Sequence, residues 1–253
     1  MNRPGFSIVT FLGICSLLAS WGNSTELKFN TEDFAPFNYE VNGVVSGPAA
    51  DVIRTICAEM HITCSFKLLP WLRAQQEVRE GIAHGLFVIG WNEERANWMY
   101  FSPPLMGTEY GFFVQNDNPL QFKDPSDVKG YRVGVFGPSN TSRSLEAIQS
   151  QIQDMTIDMR PDDEAGFKKL SLGRVDAVYS NKAVGFELIA KLGLKNIRYA
   201  GVHRLLTYYV GFSQQYTAKD IVDRFNTTFM DLYKRHIIQE ILAKYDMEAA
   251  KLD

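Results

Sequence analysis

Leu69–Pro104 reads LPWLRAQQEVREGIAHGLFVIGWNEERANWMYFSPP. Its residues 71–80 are helix-compatible and stop at Gly81. Gly85–Ile89 is a short apolar run bounded by turn residues, as expected of a strand buried on both faces. The run breaks at Gly90 into Trp91-Asn92-Glu93-Glu94-Arg95, with Trp98 following and Ser102-Pro103-Pro104 closing the stretch. A buried strand whose end delivers hydrogen-bond donors and aromatic faces to one point predicts a ligand site.

The flanks extend the same alternation. Upstream, Glu26–Asn30 predicts a strand ending in the aromatic loop Phe34–Tyr39, and Asn42-Gly43 between short apolar segments predicts a hairpin. Pro48 opens a helix with Ala49, Val52, Ile53, Ile56, Cys57 and Met60 on one face, and Thr63–Leu68 returns as a strand. Downstream, Glu109–Gln115 predicts a strand leaving this unit. The polar segment 117–130, with two prolines, reads as a crossing.

A second series follows: strands at 131–136, 155–159, 175–179 and 196–200 alternate with helices at 142–153, 162–172 and 182–192. Leu205–Phe212 would cross back, leaving 218–245 as two terminal helices. Alternating strands and helices imply parallel sheets covered on both faces. Two series joined by two crossing strands imply an α/β protein of two lobes with a cleft between them. The expected division is residues 23–112 with 208–253 in lobe 1 and 113–207 in lobe 2. Ligands in such folds sit beyond the carboxyl ends of the strands.

Composition narrows the function. The 253 residues carry a formal charge of −3, with no basic stripe to displace counterions from nucleic acid. Arg3 followed by a mostly apolar run over 6–18 reads as an export signal, with cleavage expected after Gly22; Cys15 lies in a context wrong for a lipid anchor, so an exported protein without one is expected. Cys57 and Cys64 then remain as a disulfide closing a small loop or as two buried thiols. His61, His84, His203 and His236 share no metal spacing, and no nucleophile elbow or Ser-His-Asp set is present. No cofactor or metal is expected.

At this point the residues resemble the periplasmic solute-binding proteins of family 3, which deliver amino acids and similar polar solutes to ABC importers. The likeness covers nearly the whole chain after the leader: Phe34-Ala35-Pro36-Phe37, the Gly43 to Asp51 run through Gly47, Glu93-Glu94-Arg95, Lys129-Gly130-Tyr131-Arg132-Val133-Gly134-Val135 and Gly173-Arg174-Val175-Asp176-Ala177-Val178. It implies a type II periplasmic-binding-protein fold, a monomer, and a membrane ABC transporter permease as partner. It also implies the disulfide of the family's basic-amino-acid binders at Cys57 and Cys64.

For the site, the resemblance implies that Arg95 forks onto a ligand carboxylate, Asn92 stands where the family has threonine, and Phe34 packs on the ligand. Ser139, Asn140 and Thr141 match the loop whose N–H groups hold the carboxylate from the second lobe. Gly90 replaces a hydroxyl residue, and Trp71 and Trp91 add aromatic surface. Thr31 and Asn181 stand where amino-acid-binding members carry acids. The expected ligand is therefore a carboxylate with an apolar or aromatic part, or one whose amine pairs with Glu40 or Glu109. Two other functions fit the same fold: a cyclohexadienyl-type dehydratase, needing a cleft carboxyl such as Asp33, Glu40 or Glu109 as general acid, and a sensory receptor not coupled to transport.

Overall fold

The computed structural model describes residues 26–152 and 154–252, with Met1. The expected export signal over residues 1–22 lies, apart from Met1, outside the described residues. The first half of the chain runs β1 (Glu26–Thr31), β2 (Tyr39–Val41), β3 (Val44–Ser46), α1 (Pro48–Glu59), β4 (Thr63–Leu68), α2 (Trp71–Arg79), β5 (Gly85–Gly90), α3 (Glu93–Ala96), β6 (Met99–Phe101) and β7 (Met106–Gln115). The second runs β8 (Arg132–Phe136), α4 (Asn140–Ile152), β9 (Thr156–Arg160), α5 (Asp163–Ser171), β10 (Ala177–Asn181), α6 (Lys182–Lys191), β11 (Ile197–Ser213), α7 (Lys219–Lys234) and α8 (Ile237–Ala243).

Nine of these strands form one curled sheet in the order β4-β1-β5-β11-β7-β10-β8-β9, with β6 also on β11. Pairing is parallel within β4-β1-β5 and within β10-β8-β9. It is antiparallel where β11 and β7 meet those groups and each other. The two lobes thus share a central ribbon, because β7 and β11 stay paired from Ile197–Gln115 to Tyr208–Met106.

Helices cover both faces, as near-continuous apolar strands require. On β5, Phe87 packs with Ile53, Ile56, Phe225 and Phe229 of α1 and α7, while Leu86 and Ile89 pack with Ala74 and Val78 of α2. On β7, Phe112 and Val114 meet Leu145 and Ile148 of α4, while Phe113 meets Phe167 and Leu170 of α5. The period-2 alternation of a strand is enough to serve both layers.

Two expectations need correction. Segment 117–130 is not a crossing: Leu120, Phe122 and Val128 are buried in the second lobe's core, and the crossings are β7 and β11 themselves. The strands expected at 196–200 and 205–212 are one strand of 17 residues, Ile197–Ser213. Gly201, at φ +142°, absorbs a register shift, and a second follows between Val202 and Arg204. Those residues span the gap between lobes with no buried face to pattern them.

Cys57 at the end of α1 and Cys64 in β4 are disulfide-bonded, with Cα atoms 6.1 Å apart. Cross-linking so short a loop removes modest unfolded-state entropy. Replacing both cysteines by alanine is expected to cost about 2 kcal/mol in denaturant unfolding, with the slope of the transition changed little. Asp176 accepts from the Arg132 N–H at 2.7 Å, tying the loop before β10 to β8. Among the described residues no helix is long and apolar enough to cross a membrane.

Candidate functional site

The ends of β1, β5 and β8 meet the β7–β11 ribbon at one small cavity of about 30 Å³. Glu32 and Phe34 come from the loop after β1, Val88 and Gly90 from β5, Arg95 from α3, and Trp71 from the start of α2. The second lobe supplies Phe136, Ser139, Asn140 and Thr141, and the ribbon supplies Tyr110 and Tyr208. Glu32, Phe34, Trp71 and Phe136 also line a larger adjoining pocket of about 460 Å³. The two are compartments of one cleft.

A backbone irregularity aims β5 into this cavity. Ile89 pairs with Tyr209 and Phe87 with Val210, so Val88 is the extra residue of a β-bulge. Its φ of +57° is rare for a β-branched residue. Gly90 then ends the strand, and Asn92 caps α3 by accepting from the Arg95 N–H at 2.8 Å.

Arg95 is 5% exposed. Its Nη1 donates to the Gly90 carbonyl at 2.7 Å, and its guanidinium lies 5.2 Å from the Trp71 ring centroid. The group has five N–H donors. Among the described residues it has no other side-chain hydrogen bond and no carboxylate within ion-pair distance. Burial pulls it below its ordinary value, to about 10, so it is still a cation at neutral pH. A buried cation with open donors is costly unless an anion meets it.

The second lobe closes on this point through polar contacts. Asn92 Nδ2 donates to Asn140 Oδ1 at 2.6 Å, and Arg143 pairs with Glu94 at 2.5 Å. Tyr110 shares the cavity wall with Thr141 and Tyr208, and burial raises its phenol above the ordinary range. Ser139 accepts from the N–H groups of Thr141 and Ser142 through its Oγ, while its own N–H donates to Ser142 Oγ. The turn's hydroxyls therefore hold several of the N–H groups that the resemblance assigned to a carboxylate.

Gly90 is needed for this closure. A Cβ there would lie 2.7 Å from Asn140 Nδ2, so Asn140 would swing and its bond to Asn92 would break. Gly90→Ala is expected to weaken solute binding about tenfold in calorimetry, the worth of one polar contact, with the melting temperature unchanged.

The remaining positions fall elsewhere. Thr31 is buried, its hydroxyl donating to the Phe87 carbonyl and accepting from Asn38 Nδ2. Asn181 is buried, capping α6 through the N–H groups of Ala183 and Val184 and donating to Thr108 and Tyr208. Neither lines the cavity. Trp91 is 53% exposed and does not line the small cavity; it faces a pocket of about 640 Å³ on the other side of Gly90, Tyr110 and Asn140, beside Asn92 and Arg143. Glu109 pairs with Lys182 at 2.9 Å and Glu40 is exposed on the hairpin.

The acids that line the cleft are Glu32 and Asp33 from the first lobe and Asp162, Asp163, Glu164 and Glu187 from the second; of these, sequence reasoning offered only Asp33. Burial, the Asp163 charge and Asp33 push Glu32 up to about 8, against the pull of Arg95. Burial pushes Asp163 up to about 7, although Ser180 Oγ donates to it at 3.0 Å. Tyr110, Phe136, Val88 and Tyr208 were missed as well. Only Glu32 carried a signal: it follows the last residue of a strand, where alternation turns neighbours of Thr31 to the opposite face.

The chain is similar to the L-cystine-binding protein TcyJ of Escherichia coli (strain K12), 22% identical over 162 residues, covering 62% of this chain and 59% of that protein. A solved structure from work on glutathione import in Gram-positive bacteria via GshT and the cystine ABC importer TcyBC of Streptococcus mutans superposes with a TM-score of 0.80 at 18% identity, covering 90% of this chain and 98% of that one. The crystal structure of a histidine kinase sensor domain with similarity to periplasmic binding proteins superposes with a TM-score of 0.78 at 21% identity, covering 87% and 95%. At these identities the structures speak for the fold alone. The family model for bacterial extracellular solute-binding proteins, family 3, matches residues 27–248, and the chain belongs to that family.

Proposed function

We propose that the protein captures a small carboxylate-bearing solute, an amino acid or related organic acid, between its lobes in the periplasm and presents the closed form to an ABC importer. The observation that carries this reading is Arg95, a buried guanidinium with open donors in a cavity built by both lobes. Phe34 and Trp71 would wall the solute, with Asn92, Gly90 and Asn140 shutting the cleft over it. Such a ligand locks the closed form because it touches both lobes at once. The L-cystine-binding relative accords with the solute class.

A thermal-shift screen against amino acids, aromatic acids and dicarboxylates tests the reading, since a cleft ligand at one hundred times its Kd stabilises by about 2.7 kcal/mol. At least one carboxylate should raise the melting temperature, and stabilisation by none of them would sink the proposal. A second reading, a sensory receptor, is favoured by the likeness to the histidine kinase sensor domain. Co-purification with a permease separates the two, because a sensor would be recovered without one.

A further inference from the structure

The pocket of about 640 Å³ beside Trp91 shares only the wall of Gly90, Tyr110 and Asn140 with the Arg95 cavity. The hydrogen bond from Asn92 Nδ2 to Asn140 Oδ1 at 2.6 Å lies along that wall, and Arg95 does not line the far side. Three parts of the fold enclose the pocket: the turn after β5 with α3, one face of α4, and the stretch of β11 from His203 to Tyr209. None of the contacts that close the Arg95 cavity fills it.

Three of its groups are left open. Trp91 is 53% exposed and presents an uncovered ring to the pocket. Arg204 is exposed and, among the described residues, has no carboxylate within ion-pair distance; its charge acts on Tyr110, Tyr179 and His203, which places the guanidinium beside the pocket floor. The acids of the wall are otherwise engaged or solvated. Glu94 is held by Arg143 at 2.5 Å and Arg79 at 3.4 Å, and Glu93 is exposed in the first turn of α3. The third open group is His203. A buried chain leads to it: Ser144 Oγ lies 2.9 Å from the Tyr179 hydroxyl, which lies 2.6 Å from His203 Nδ1. Burial and the Arg204 charge hold His203 below its ordinary value, so the ring is neutral at neutral pH. With Nδ1 taken, Nε2 is its free polar atom. When Ser144 donates to Tyr179 and Tyr179 to Nδ1, Nε2 carries the ring proton and is a donor to the pocket.

We propose that this pocket is a second small-molecule site, separate from the Arg95 cavity, which takes an aromatic anion with its ring system against Trp91 and its anionic head on Arg204 and His203 Nε2. The volume falls in the range of roughly 300–1,000 Å³ usual for such sites. An uncovered indole beside an unpaired guanidinium is satisfied at once by a ligand that is both flat and negative. An anion at Nε2 also selects the one direction of the Ser144–Tyr179–His203 chain that ends in a donor. The assignment does not depend on what Arg95 holds. An occupant touches the turn after β5, α4 and β11 together, so it bears on the same closure that Asn92 and Asn140 make.

Calorimetry on the purified protein with naphthalene-2-sulfonate, a probe whose head is not a carboxylate, tests this. It should bind at least about tenfold tighter than naphthalene-2-sulfonamide, which lacks the charge, and than decalin-2-sulfonate, which lacks the ring faces. Trp91→Ala and Arg204→Gln should each weaken it about tenfold, the worth of one stacked ring or one charge-assisted contact. Both variants should keep the melting temperature of the wild type, because both side chains are exposed. Arg95→Ala should leave the affinity unchanged. Affinity lost in Arg95→Ala but kept in Trp91→Ala and Arg204→Gln would put the probe in the inner cavity and overturn the second site. Equal binding of either control compound would overturn the aromatic anion as its ligand, and no saturable binding at millimolar probe would overturn the site itself. Failure of every carboxylate in the thermal-shift screen would count against the reading of Arg95 and leave this site standing.

Discussion

Arg95→Ala should remove carboxylate binding from calorimetry, a loss of about a hundred- to a thousandfold or more. That is the size expected when one partner of a buried, hydrogen-bonded charge pair is truncated, about 3–4 kcal/mol. Arg95→Lys should fall between, because an ammonium keeps the charge but cannot present two parallel N–H donors to a carboxylate. Folding should not suffer. In the ligand-free protein Arg95 is a buried cation without a carboxylate partner, so its removal is expected to leave the melting temperature equal or higher. A loss of binding together with collapse of the fold would instead make Arg95 a structural residue.

Asp158→Asn should destabilise the protein by about 3 kcal/mol, with binding of a cleft solute altered only through the fraction folded. Asp158 is 6% exposed and collects three cations: Arg132 at 2.5 Å, Arg160 at 2.6 Å and Lys169 at 2.7 Å. These fasten β8, β9 and α5 to one another at a corner of the second lobe. Burial alone would raise this carboxyl. The hydrogen bonds from Lys169, Arg160 and Arg132 more than reverse that and hold it well below the usual carboxylate range. Its stabilisation is therefore complete above the ordinary aspartate value near 4 and fades as pH falls below it. Urea midpoints measured from pH 6 down to pH 3 should drop faster for the wild type than for Asp158→Asn, the two curves converging in acid.

The pattern that made the fold legible was burial on both faces. Strands such as Gly85–Gly90 and Arg132–Phe136 lie between helical layers, so their sequences are apolar runs, and the helices between them keep a 3.6-residue period. The β2–β3 turn was equally plain because Asn42 and Gly43 sit at φ +52° and +79°, which those residue types tolerate. Legibility ended where no face is buried. Val202, Arg204 and Leu205 in the middle of β11 are exposed, so nothing in their order marked one long strand. The segment 117–130 failed for the opposite reason, since its few apolar residues are scattered among polar ones yet three of them enter the core.

In the site, single residues were readable and pairings were not. Arg95 and Asn92 announced themselves beside a strand end. Glu32 matters because Asp163, far away in sequence, enters the same pocket, and Tyr110 matters because it meets Thr141 and Tyr208 of two other elements in one cavity wall. Thr31 and Asn181 show the converse: positions singled out from the resemblance are turned to hydrogen bonds inside the protein.

A crystal structure of the protein with the most stabilising carboxylate of the thermal-shift screen in the cleft would test the central claim most directly. Both carboxylate oxygens of the solute should lie on the Arg95 guanidinium at about 2.7–2.9 Å. A carboxylate bound elsewhere, with the Arg95 donors still turned only to the Gly90 carbonyl, would contradict it.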